Sequence, residues 1–281
     1  VRAVAHPDAA AFLHRARPWL EEREDENNLV LSIAAALAEA PTIEGDDDPP
    51  LFGTVEDGGD VVGCFMRTPP HKLVLTRMPT AGVGPVVEIA ASRWASVPAV
   101  LGPAEVARPA GEAWVARHGG SARPGMRQRI YRLDAVRAPA DVPGRMRAAL
   151  PEDLPLVDVW NSGFAEDAGH QFHAPSAARD AWVREGRLVL WEDGAPVAMA
   201  VAGGRTRNGV RVGYVYTPPE RRRRGYASAL VARLSQSLLD DGFRFCVLYT
   251  DLANPTSNGI YARIGYRPIC DVEDVNLEPG A

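Results

Sequence analysis

Arg221, Arg222, Arg223, Arg224, Gly225, Tyr226, Ala227 and Ser228 follow one another between a strand-like segment and a helix-like one. Residues 210–217 read as a strand that stops at Pro218-Pro219. Ala227, Leu230, Val231, Leu234 and Leu238 share one face of a helix starting near Arg224. The first turn of a helix leaves backbone N–H groups without partners, and its dipole places partial positive charge there. Gly225 lets a bulky anion approach the backbone with no side chain in the way. Ala227 keeps the next position small, Ser228 adds a hydroxyl donor, and the arginines add charge-assisted contacts to phosphate oxygens. This combination reads as a cradle for a diphosphate.

Two familiar diphosphate sites are excluded by spacing. The chain has no Gly-x-x-x-x-Gly-Lys-Ser/Thr run, and no Gly-x-Gly-x-x-Gly following a strand. A second run, from Asn254 to Tyr266, has its own logic. Asn254 is a good helix N-cap, and Pro255 suits the first helical position, where no N–H is needed. Ile260 and Ile264 lie four apart on one face, and Gly265 ends the helix as a left-handed cap. Residues 244–250 are almost continuously apolar, as in a parallel strand buried on both faces. Strand, helix, strand and helix thus follow in the order of a right-handed crossover.

Arg222, Gly225 and Ala227 resemble the Arg-x-x-Gly-x-Ala pyrophosphate motif of the GNAT superfamily of N-acetyltransferases. Asn254, Ser257, Tyr261, Gly265 and Tyr266 resemble that family's second signature, and the likeness spans about residues 145–275. The resemblance implies an acyl-CoA wedge between the strands at 210–217 and 244–250. Backbone groups of Val215, Tyr216 and Thr217 would pair with the pantetheine amides as an added strand does. Arg222, Arg223, Arg224, Gly225, Tyr226, Ala227 and Ser228 would hold the pyrophosphate, with Asn254 and Ser257 lining the far side. Tyr261 would be the general acid, since a phenol with a reference pKa of about 10 can protonate a departing thiolate at neutral pH. The side chains of Tyr214, Tyr216, Tyr226, Tyr249 and Tyr266 are read as packing.

No general base stands out. The strand at 210–217 holds no Asp, Glu or His, and the nearest candidates are Glu166, Asp167, His170, His173 and Glu192. Each is also a plausible solvated residue, and none is assigned. His170 and His173 have a ligand-like spacing but no third partner nearby, so no metal is expected. The acidic loop at 44–50 is read as solvated. Cys64, Cys246 and Cys270 are odd in number and far apart, which argues against a disulfide framework and against zinc. The first two sit in apolar strand patterns as packing residues.

Apolar content of 46% and charged content of 24% are ordinary for a globular chain. A net charge of −5 disfavours bulk nucleic-acid binding despite the arginine run. No apolar run reaches the eighteen or so residues of a membrane span, and no signal peptide is read at the start. A cytoplasmic location is expected. The alanine- and arginine-rich composition suits a GC-rich bacterial genome.

The first half reads as a relative of the second. Helical spacing at 12–20 and 29–40 precedes strands at 51–55, 61–67 and 73–76, just as strands at 187–191, 197–201 and 210–217 fill the second half. Glu56-Asp57-Gly58 and Glu192-Asp193-Gly194 occupy the same turn, 136 residues apart. The first copy lacks both motifs, and Pro85 removes a donor beside Gly82 and Gly84. The expected fold is therefore α/β: two tandem GNAT-like domains, each a mixed, mainly antiparallel sheet flanked by helices. The boundary falls in the Ala/Pro/Gly-rich join, giving a degenerate domain at 1–137 and a catalytic domain at 138–281. The implied activity is direct acetyl transfer from acetyl-CoA to a primary amine, a small molecule being favoured over a peptide. No cysteine lies in either motif to carry a covalent acetyl group. The competing class is a non-catalytic acyl-CoA-binding module, and homodimer assembly stays open.

Overall fold

A computed structural model describes residues 1–39, 48–139, 141–168 and 173–280. The first half of the chain runs β1 (Arg2–His6), α1 (Ala9–Glu22), α2 (Asn28–Glu39), β2 (Leu51–Asp57), β3 (Asp60–Arg67), β4 (Leu73–Leu75), α3 (Val83–Arg93), β5 (Ala99–Gly102), α4 (Ala104–His118) and β6 (Ser121–Leu133). The second runs β7 (Arg145–Ala148), α5 (Leu154–Ala168), α6 (Ser176–Arg184), β8 (Leu188–Glu192), β9 (Pro196–Gly203), β10 (Gly209–Tyr216), α7 (Tyr226–Asp240), β11 (Phe245–Asp251), α8 (Pro255–Ile264) and β12 (Arg267–Glu278). Short 3-10 turns aside, both halves follow one order: strand, two helices, three strands, helix, strand, helix, strand. The repeat therefore extends well past the three strands legible in the sequence.

The compact units do not coincide with the halves. One comprises Val1–Ile130 with Cys270–Ala281, the other Tyr131–Ile269. In the first unit β1 to β4 form an antiparallel meander, β5 joins β4 in parallel, and Glu273 to Asn276 of β12 pair antiparallel with β5. Alternation along the strands divides their side chains between two layers. Phe52, Cys64 and Met66 meet Phe12, Leu20 and Leu31 of α1 and α2. Leu51, Phe65 and Leu75 meet Val86, Val106 and Trp114 of α3 and α4. Polar ties hold the returning strand: Lys72 Nζ lies 2.5 Å from the buried Asp274 carboxylate, and Arg108 grips Glu273 with two donors.

In the second unit β7, β8, β9 and β10 pair antiparallel in sequence, and β11 adds to β10 in parallel. Val189, Trp191, Val210, Val212, Cys246 and Leu248 face α7 and α8, where Leu230, Leu234 and Ile264 meet them. Leu188, Leu190, Met199 and Tyr216 face α5 and α6 through Val157, Trp160 and Val183. The end of β6 closes this unit too. Tyr131 Oη donates to Asn258 at 3.1 Å, and the Arg132 guanidinium stacks on Phe245 at 4.2 Å.

The helix termini follow local chemistry. Asn254 caps α8 by accepting from the Ser257 amide at 3.0 Å, and Pro255 takes the first helical position. At the other end Gly265 has φ 113°, its amide donates to Ala262 O, and the Tyr266 amide reaches back to Tyr261 O. That pair of bonds is a Schellman termination. α7 starts at Tyr226 rather than near Arg224, because Gly225 and Arg223 both adopt left-handed backbone. Cys64 and Cys246 are fully buried and unbridged, and burial pushes both thiols up, Cys246 to about 12. Among the described residues no helix is long and apolar enough to cross a membrane, and no group of three or more His, Cys, Asp or Glu could hold a metal. Most of the acidic loop and His170 lie outside the described residues.

A Cβ on Gly265 would meet Ala135 O at 2.9 Å in a backbone region disfavoured for L side chains. Gly265→Ala should cost about 1–3 kcal/mol of unfolding free energy. Urea denaturation followed by tryptophan fluorescence checks this, and an unchanged midpoint would contradict it.

Candidate active site

β10 and β11 pair only at Gly209↔Phe245, Val210↔Cys246 and Arg211↔Val247. On its other edge β10 stays with β9, but the register shifts between Gly213↔Val201 and Tyr216↔Met199. Three steps on β10 then oppose two on β9, which is a β-bulge. Tyr214 sits in the bulge at φ 51°, its ring packed on Trp182 at 4.6 Å and on Phe164 at 5.2 Å. The extra residue bends β10 and increases its local twist, and the strand leaves its parallel neighbour. Its remaining backbone groups on that side form an open edge that an extended amide chain could complete.

Val215, Tyr216 and Thr217 lie along this edge. Val215 packs against the α7 core, whereas the Tyr216 side chain is buried toward α5, with Trp160 at 6.3 Å. Its hydroxyl fits against Gly163, where a Cβ would stand only 2.3 Å away. Burial is the main cause of a raised Tyr216 pKa, with Asp167 adding to it. Thr217 O accepts from Arg222 Nε at 2.9 Å, and Thr217 Oγ1 is covered without a partner.

Beyond a 3-10 turn at Pro219–Arg221 the chain passes through two left-handed residues, Arg223 at φ 65° and Gly225 at φ 84°. The first bond of α7 is Ala229 N–H to Gly225 O at 2.9 Å. The amides of Arg223, Arg224, Gly225, Tyr226, Ala227 and Ser228 have no hydrogen-bond partner among the described residues. The side chains of the four arginines are exposed, while Ala227 and Ser228 are half-buried. Tyr226 contributes differently, because its ring enters the core and its hydroxyl donates to Asp193 at 2.6 Å. A Cβ at Gly225 would point to Val142 at 3.0 Å. The glycine therefore answers a left-handed backbone and a close neighbour, as well as any need for open approach.

Asn254, a cap through its side chain, and half-buried Ser257 open α8 at the end of β11. One helical turn on, Tyr261 is 8% exposed, and its ring meets Tyr266 edge-on at 5.9 Å. Tyr266 is fixed in turn by a 2.8 Å hydrogen bond with Ser235 Oγ. The Tyr261 hydroxyl has no hydrogen-bond partner among the described residues. Burial pushes its pKa up to about 12, so it holds its proton throughout the neutral range.

The carboxylates near the site are mostly engaged. Asp167 pairs with Arg222 Nη2. Glu192 lies against Arg147 and Arg145, and the Arg147 hydrogen bond holds its pKa below the usual carboxylate value. Glu166 and His173 are exposed. Two features had escaped the sequence reading. One is the Tyr214 bulge, for which Gly213 in mid-strand was the available signal. The other is a buried clasp: Asn161 accepts from the Ala174 amide at 3.1 Å and donates to its carbonyl at 3.2 Å. Arg179 joins through Asp158 at 2.6 Å and the same Ala174 carbonyl. An asparagine inside an apolar helical pattern was the hint there.

A family model described as the acetyltransferase (GNAT) family matches residues 156–266. No curated protein matches the chain. Solved structures match over its whole length. An X-ray structure of a Drosophila protein is 16% identical, covers 99% of each chain and superposes with a TM-score of 0.72. A GCN5-related N-acetyltransferase from Sphaerobacter thermophilus is also 16% identical, covering 100% of this chain and 97% of its own at a TM-score of 0.61. A tandem GNAT protein from the clavulanic acid biosynthesis pathway is 15% identical, covering 100% and 99% at 0.56. At such identities the likeness is one of fold. Residues 156–266 thus form a domain of the GNAT acetyltransferase family, and the chain around them shares the fold of a tandem GNAT protein.

Proposed function

We propose that the second unit transfers an acetyl group from acetyl-CoA to a primary amine by direct attack, with a small molecule as acceptor. The observation that carries this reading is the run of six unpartnered amides at residues 223–228, beside a strand that has parted from its neighbour. Amides at a helix start suit a pyrophosphate, and the open edge of β10 suits the pantetheine amides. Val215, Tyr216 and Thr217 serve the latter. Arg222, Arg223, Arg224, Gly225, Tyr226, Ala227 and Ser228 serve the former, with Asn254 and Ser257 beyond.

The lone pair of the neutral amine attacks the thioester carbonyl, the C–S bond breaks, and the leaving sulfur takes the Tyr261 proton. The extra proton on nitrogen passes to solvent, from which the Tyr261 phenolate is reprotonated. A buried phenol that resists ionisation is a donor always in its acid form. No side chain is assigned as base, since Asp167 and Glu192 are both held by arginines. The first unit is proposed as a non-catalytic copy. At its corresponding turn Arg77 is bound to Glu26 and Glu105, and Gly82 lies at φ −83° against Val55.

Acetyl-CoA should raise the melting temperature of the protein in proportion to the logarithm of its concentration above Kd; no shift at millimolar ligand would sink the donor assignment. Tyr261→Phe should lower kcat about 10²-fold or more while leaving the calorimetric Kd for acetyl-CoA nearly unchanged. Normal turnover in that variant would remove Tyr261 from the mechanism. Gly225→Val should abolish acetyl-CoA binding, and wild-type affinity there would contradict the cradle.

A further inference from the structure

We infer that Asp167 is a positioning residue that competes with the acyl-CoA pyrophosphate for Arg222, so that donor binding unlatches the end of helix α5. The inference rests on the proposed donor site. Arg222 stands at the first position of the cradle, yet its fork is directed elsewhere. Nε donates to Thr217 O at 2.9 Å, Nη2 donates to Asp167 Oδ2, and the guanidinium stands over the Tyr216 ring at 5.8 Å. Either bidentate edge of a guanidinium needs Nη2 together with Nε or Nη1. With Nε given to Thr217 O and Nη2 to Asp167, the Nε–Nη2 edge is closed to a phosphate until Asp167 lets go.

The pair is suited to exchange. Its side chains are 42% and 51% exposed, so water screens the attraction and a single carboxylate holds the arginine weakly. A diphosphate brings more charge and more acceptor oxygens to the same donors. The consequence falls on α5. Its last turn carries Glu166 and Asp167 and no basic residue of its own, so two acids sit at the negative end of the helix dipole. Arg222 is the cation that offsets them. Moving it to a phosphate leaves this turn with uncompensated charge, and it should loosen. Gly163 and Tyr216 hold the middle of α5 in place, so the loosening is confined to the end.

The test is isothermal titration of acetyl-CoA into the full chain and its variants. Asp167→Asn should tighten acetyl-CoA about two- to fivefold. Glu166→Gln removes the same charge one residue away, where no bond to Arg222 exists among the described residues, and should tighten it distinctly less. In an Arg222→Ala background the Asp167→Asn gain should vanish. Amide exchange at 164–168 should quicken when acetyl-CoA is added to the wild type, and should not do so in Asp167→Asn. Equal effects of the Asp167 and Glu166 variants, or a gain that survives Arg222→Ala, would overturn the inference while leaving the donor site standing. Absence of acetyl-CoA binding in the wild type would remove the proposed function itself.

Discussion

The structure of the second unit turns on one residue too many in β10. Backbone N–H and C=O groups inside a sheet need partners, and a strand surrenders them only where something compensates. The bulge between Gly213 and Tyr216 keeps the pairing with β9 and ends it with β11 after Arg211↔Val247. Compensation comes from aromatic packing. The left-handed Tyr214 is clamped by Trp182 and Phe164, and Tyr216 is seated between Trp160 and Gly163. The α5–α6 layer is thus what makes the parted edge affordable, and α7 and α8 begin where the two strands end.

The repeat of element order has a second physical consequence. Each half ends in a long strand, and the unit boundary cuts both of them. Residues 273–276 complete the first unit's sheet at β5, while Tyr131 and Arg132 pack on α8 and β11 of the second. Buried charge marks the returning strand, since Asp274 is 2% exposed and answered by Lys72. Breaking one partner of such a pair leaves an uncompensated charge inside, which disfavours other registers. Each unit therefore takes its closing segment from the other half of the sequence, and each has its own pair of core layers.

Much of the second unit was legible because its signals are local. Asn254, Pro255 and Gly265 define a helix through capping chemistry, and alternation of Leu188, Val189, Leu190 and Trp191 assigns each residue to a layer. The boundaries of α7 were less legible, because two left-handed residues in an arginine run leave no mark on composition. The exchange of end strands was not legible at all. β6 contains Pro124 and Gly125, β12 carries four acidic residues, and neither reads as a sheet-forming strand until its partners are known. Ion pairs such as Asp167 with Arg222, 55 positions apart, belong to the same class. They depend on tertiary placement that periodicity does not encode.

Where a fold leaves polar groups unanswered is informative, because most of a native chain is locally consistent. A hydroxyl left without a partner in a core costs about 1–3 kcal/mol, and the second unit has Thr217 Oγ1 in that state. The Tyr261 hydroxyl also lacks a hydrogen-bond partner among the described residues, but it keeps access to solvent. To these are added six successive amides at the start of α7. All three lie on the segments that follow the parted strands β10 and β11. The neighbouring tyrosines are treated differently: Tyr226 has Asp193, and Tyr266 has Ser235. Tyr261 packs through its ring like its neighbours, but among the described residues no side chain engages its hydroxyl, which keeps access to solvent. Its exceptional treatment, beside an open strand edge and an unpaired helix start, is the physical ground for giving it a proton to deliver.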